Sequence, residues 1–92
     1  MKEFYIEDVV KTGRRKNKTK SAKVGDNIKV VLRLHSPVDN IDAERLWFKV
    51  IDIKNGIIIA SLDNVPSYLR SISETDKLEF TENNILEILT EK

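Results

Sequence analysis

With 92 residues, of which 40% are apolar and 34% charged, the chain has room for one small core and excludes two independent ones. The absence of cysteine excludes a disulfide framework, thiolate chemistry and any cysteine-based metal site, and it favours a reducing, cytoplasmic setting. The net charge of +1 joins two unlike parts: residues 11–23 hold seven of the sixteen Lys and Arg and no acid, leaving nine bases against fifteen acids elsewhere.

Phe4-Tyr5-Ile6 reads as a short strand, and Glu7 to Lys11 either extends it or makes one helical turn stopped by Gly13. The acidic first eight residues lack the pattern of a signal peptide. From Thr12 to Lys23 the only apolar side chain is Ala22, too little burial to offset ordering, so residues 12–23 are expected to form a basic flexible loop or arm on a single domain spanning 1–92. Val24-Gly25-Asp26 punctuates the start of a strand in which Ile28, Val30, Leu32 and Leu34 share one face and Lys29, Val31, Arg33 and His35 the other. Ser36-Pro37-Val38-Asp39-Asn40 is expected to end it.

Asn55-Gly56 is the strongest local signal. A type I′ turn needs φ > 0 at both central residues, which Asn and Gly tolerate, so residues 45–53 and 57–62 are predicted to pair as a hairpin. Leu46, Phe48 and Val50 form its core face, while Trp47 and Ile51 need cover from elsewhere. Ile57-Ile58-Ile59 has no alternation and fits a strand covered on both faces, and Gly56 beside it allows a bulge. Asn64-Val65-Pro66 favours a short helix over 67–72. Lys77-Leu78-Glu79-Phe80 is a strand and Thr81 a candidate N-cap; spacing leaves 83–89 open between helix and strand, and its short length favours a single turn leading into a last strand. Gly25-Asp26 and Thr75-Asp76 share one design, a turn, an acid and then an alternating strand. The expected fold is mainly β: a small, strongly bent antiparallel sheet or partly open SH3-like barrel with one or two short helices.

Taken in order, Ala43-Glu44-Arg45-Leu46-Trp47-Phe48, Asn55-Gly56, Leu62-Asp63-Asn64-Val65-Pro66, Asp76-Lys77-Leu78-Glu79-Phe80 and Ile85-Leu86-Glu87-Ile88 resemble the small YegJ-like bacterial domains of unknown function. The resemblance covers about residues 24–89. Two features depart from it: Thr75 stands where a Gly is usual, and the basic segment has no counterpart. The resemblance implies a cytoplasmic bacterial interaction domain with no reaction, of a kind whose small relatives occur beside toxins in an immunity role.

No set of residues argues for an enzyme, a cofactor or a metal. His35 is the only histidine, the acids are scattered over strands and turns, and the three glycines form no phosphate loop. Two groups remain as contact candidates. Lys11, Arg14, Arg15, Lys16, Lys18, Lys20 and Lys23 suit a phosphate backbone or another anion, weighed against a solvated loop. Arg45 offers a guanidinium fork beside Trp47 for a partner's carboxylate or peptide, with Asn64 on the exit turn, weighed against a local Arg45–Glu44 pair and a packed Trp47. The expected partner is a protein, with nucleic acid through 11–23 as the alternative. The longest apolar run, 57–60, falls far short of the ~20 residues that cross a bilayer.

Overall fold

The computed structural model describes residues 2–16 and 20–90. Its elements are β1 (Phe4–Ile6), β2 (Asn27–Val38), β3 (Ile41–Lys54), β4 (Ile57–Leu62), β5 (Lys77–Phe80), a 3-10 turn (Glu82–Asn84) and β6 (Ile85–Leu89). All pairings are antiparallel. The strands run in the order β1-β2-β3-β4-β5, and β6 also pairs with β2. β6 takes Asn27 to Val30 and β1 takes Leu32 to Leu34, so the long β2 carries two short neighbours end to end. The result is a curled half-barrel, mainly β as expected.

The period-two pattern decides which face is buried. Ile28, Val30, Leu32 and Leu34 of β2 line the inside with Leu46, Phe48 and Val50 of β3. Phe48 meets Phe80 edge to face, ring centroids 4.8 Å apart, and this contact joins β3 to β5 across the concave side. Leu69 and Ile72, from the connection between β4 and β5, close the core. On the outer face a smaller cluster of Val9, Val31 and Leu86 sits beneath the turn at residues 9–13. Neither a longer strand nor a helix forms over Glu7 to Lys11; the chain makes a turn over 9–13 instead. Arg14 N–H donates to the Val9 carbonyl, Lys11 N–H to Asp8 Oδ1, and Gly13 closes it at φ 74°.

The Asn55-Gly56 hairpin forms with φ of 51° and 78°, as a type I′ turn requires. A second such turn, Asp39-Asn40 at φ 50° and 66°, joins β2 to β3. β2 therefore runs through Ser36-Pro37 instead of ending there. Proline is accommodated because the β2–β3 register is interrupted between Arg33 and Val38, where no ladder donor is needed. The bulge falls at Ile51, between the Val50–Ala60 and Asp52–Ile59 pairs, and not beside Gly56. It leaves Ile51 exposed. β4 is not covered on both faces: Ile58 is buried, Ile59 half-buried and Ile57 exposed.

The two turns of shared design adopt one geometry. In Lys23-Val24-Gly25-Asp26, Lys23 N–H donates to Asp26 Oδ2 and Asp26 N–H to the Lys23 carbonyl. In Ser73-Glu74-Thr75-Asp76, Ser73 N–H donates to Asp76 Oδ2 and Asp76 N–H to the Ser73 carbonyl. Each third residue has positive φ, 94° at Gly25 and 74° at Thr75, and donates to a neighbouring strand, at the Val50 and Leu62 carbonyls respectively. Thr75 thus takes the conformation that Gly25 takes in the twin turn, at the steric cost a β-branched residue carries there.

No helix forms over 67–72. Carboxylates from distant parts of the chain instead take up backbone N–H groups of this segment. Buried Glu44 accepts from Ser67 N–H, at 3.0 and 2.9 Å, and from Tyr68 N–H at 2.7 Å. Glu3 accepts from Arg70 N–H at 3.0 Å and Ser71 N–H at 2.8 Å. At the other end of the chain, Thr81 stands at the N-cap position of the 3-10 turn and 85–89 is a strand, which decides between the two alternatives left open for 83–89.

Candidate interaction surfaces

The half-barrel does not close: β1 and β5 end the sheet path without pairing to each other. On β1, His35 N–H donates to the Glu3 carbonyl and Glu7 N–H to the Val31 carbonyl, with Tyr5 opposite Arg33 between them. Antiparallel alternation then turns the backbone groups of Phe4 and Ile6 away from β2, towards the opening. On β5, Leu62 N–H donates to the Asp76 carbonyl, and Leu78 and Phe80 lie opposite Ala60 and Ile58. The same alternation turns the backbone groups of Lys77 and Glu79 outward. Between the two edges lies a cavity of about 810 Å³, with Phe4, Ile6 and Leu78 as its apolar lining and Glu3, His35 and Glu79 among its polar residues. A groove of that size, with an apolar floor bordered by polar and charged side chains, has the dimensions of a binding site.

Glu3 fixes one end of this seam. Its carboxylate accepts the Ser71 hydroxyl at 2.6 Å besides the two backbone bonds. The hydroxyl bond, with the Ser71 and Arg70 N–H groups and the Arg70 charge, holds its pKa below the ordinary glutamate value despite an opposing desolvation effect. Beside it, the His35 and Tyr5 rings sit 5.0 Å apart on the outer face.

The outer face carries most of the residues singled out from the sequence. Arg15 is only 10% exposed: it donates to the carbonyl of Glu82, to Glu82 Oε1 at 2.9 Å and to the Lys20 carbonyl at 2.7 Å. The other Glu82 oxygen accepts Ala22 N–H at 3.0 Å. Arg14 lies 3.8 Å from Glu7 and Lys16 3.5 Å from Glu87, and Lys20 Nζ reaches Thr90 at 2.6 Å. Lys11 and Lys23 are exposed, and Lys18 lies outside the described residues. The acids of the body thus meet several bases of the segment directly.

Arg45 is exposed on this face, opposite Val31, while Glu44 points inward, so the local Arg45–Glu44 pair does not form. Trp47, opposite Lys29, is half-buried, with Lys29 Nζ 5.0 Å from its ring centroid. Lys29 and Lys16 converge on the same Glu87 oxygen, at 3.6 and 3.5 Å. Asn64 is a structural residue: its Oδ1 accepts Trp47 N–H, while Asp63 N–H donates to the Trp47 carbonyl at 2.9 Å.

Sequence reasoning missed Glu7. It is 5% exposed, accepts Arg33 Nε at 2.6 Å and Thr12 Oγ1 at 3.3 Å, and raises the Arg33 pKa through that bond. The outward phase of Arg33 in β2 was the one available hint of a partner on the outer face. Among the described residues no three His, Cys, Asp or Glu come together as a metal site, and no helix is long and apolar enough to cross a membrane. Comparison with family models, curated proteins and solved structures gives no match.

Proposed function

We propose that this chain is a non-catalytic interaction module of the bacterial cytoplasm, of the kind its YegJ-like residues suggest. It binds a protein partner by receiving an extended segment in the seam between β1 and β5. One observation carries the reading: two unpaired strand edges flank one apolar floor. Outward backbone donors and acceptors at Phe4, Ile6, Lys77 and Glu79 match the repeat of an extended chain, so strand addition supplies affinity and the lining supplies side-chain selection. Selection from a library of extended peptides, followed by amide shift mapping, tests it. Bound peptides are expected to shift Phe4, Ile6 and residues 77–79. Lys77→Pro, which deletes an outward donor and leaves the β4 ladder intact, is expected to weaken them. Peptides that map to the outer face instead, or bind Lys77→Pro equally well, contradict the proposal.

A second reading, binding of a nucleic-acid backbone, is favoured by Lys29 beside Trp47, by Lys16 meeting Lys29 at Glu87, and by exposed Arg45 on the same strand and face as Trp47. The pairing of Arg15 with Glu82 and of Lys16 with Glu87 weighs against it. Titration with generic DNA and RNA at low salt decides: no detectable binding removes this reading. Binding that survives Lys16→Glu with Arg45→Glu removes these residues from it.

A further inference from the structure

We infer that the β5 edge pairs with the β5 edge of a second copy of this chain, forming a two-fold dimer. This inference rests on reading β5 as a strand acceptor and names one occupant for it. The argument is one of register. In an antiparallel pair, residues whose backbone groups point outward must face each other, so Lys77 and Glu79 can meet only Lys77 or Glu79 of the other copy. Two arrangements centre on Lys77 or on Glu79 and set like charges directly opposite, which destabilises the pair. The third centres on Leu78. It sets Lys77 of each copy opposite Glu79 of the other, and supplies two ion pairs and four backbone hydrogen bonds in one step. That register also places the half-buried Leu78 of one copy against Leu78 of the other, in the closer, non-hydrogen-bonded position.

Lys77 and Glu79 are both exposed, and Leu78 and Glu79 line the open seam, so the edge faces a cavity. The β1 edge, Phe4-Tyr5-Ile6, carries no charge and offers no such choice of register. A Lys on an edge strand ordinarily discourages pairing; here the Glu two residues on makes the edge complementary to itself.

Sedimentation equilibrium of the full chain from about 10 μM to about 1 mM tests this, with circular dichroism confirming that each variant is folded. The wild type is expected to associate reversibly, and more weakly as salt rises. Lys77→Glu and Glu79→Lys alone are each expected to weaken association by about tenfold or more, since symmetry reverses both pairs at once. The double variant Lys77→Glu/Glu79→Lys is expected to recover it, and an equimolar mixture of the two single variants to form a mixed dimer. A monomeric wild type throughout that range, single variants that associate as the wild type does, or a folded double variant that stays monomeric overturns the inference. Peptide binding measured below the dimerisation range stands or falls separately, so failure of the dimer and failure of the seam are told apart.

Discussion

Two connections in this protein lack regular structure beyond single turns among their described residues, and acids hold both in different ways. In the first, running from β1 to β2, carboxylates of the body meet mainly side-chain cations: Glu82 takes Arg15 and one backbone N–H, that of Ala22, Glu87 takes Lys16 and Glu7 lies near Arg14. In the second, from β4 to β5, carboxylates meet backbone N–H groups: Glu44 takes Ser67 and Tyr68, and Glu3 takes Arg70 and Ser71. Side-chain pairs near the surface are screened by salt and tolerate loss, whereas a carboxylate filling backbone donors beside a core replaces secondary structure. The second connection also delivers Leu69 and Ile72 into the core. It is structural, and it borders the seam through Ser71.

The difference is sharpest at Glu44. Glu44→Ala leaves the Ser67 and Tyr68 N–H groups without their acceptor and is expected to cost about 2–4 kcal/mol, read as a fall of roughly 10–25 °C in Tm. Glu82→Ala, which takes the carboxylate from Arg15 and the acceptor from Ala22 N–H, is expected to cost about 1–2 kcal/mol and to raise amide exchange in residues 20–23. A larger loss at Glu82 than at Glu44 would reverse the ranking of the two connections. Thr75→Gly relieves a β-branched side chain at φ 74° and is expected to gain about 1 kcal/mol in urea denaturation, bringing that turn to the state of its twin at Gly25. No gain would mean that the surroundings of Thr75 repay its strain.

The smallest effect is one of pH. A carboxyl whose folded pKa lies below its unfolded value stabilises the fold above the unfolded value and loses that contribution as pH falls through the folded one. Glu3 is such a group, through the Ser71 hydroxyl bond first and the Ser71 and Arg70 N–H bonds after it. Acidification below the ordinary glutamate range of about 4.3 is therefore expected to lower the protection of the Arg70 and Ser71 amides relative to their intrinsic exchange rates at each pH. Glu3→Gln is expected to flatten that dependence, and an unchanged acid limb contradicts the role given to Glu3.

The strands and turns were legible because their signals are local. Alternation placed Ile28, Val30, Leu32 and Leu34 inward, Asn55-Gly56 made its turn, and the likeness of Gly25-Asp26 to Thr75-Asp76 was visible before its geometry was known. The failures are non-local. Glu3 lies 68 residues from Ser71 and Glu44 lies 23 from Ser67, so nothing near Pro66 shows that its backbone is already claimed. Pro37 read as a stop because its exemption depends on a register break against β3. The seam was illegible for the same reason: residues 4–6 and 77–80 reveal themselves as facing edges only once the sheet has curled.

Amide exchange at the two edges tests the central claim most directly. With a selected peptide bound, the outward N–H groups of Phe4, Ile6, Lys77 and Glu79 are the ones strand addition must engage, and those of at least one edge are expected to gain protection. Protection elsewhere, with both edges exchanging as in the free protein, contradicts the account.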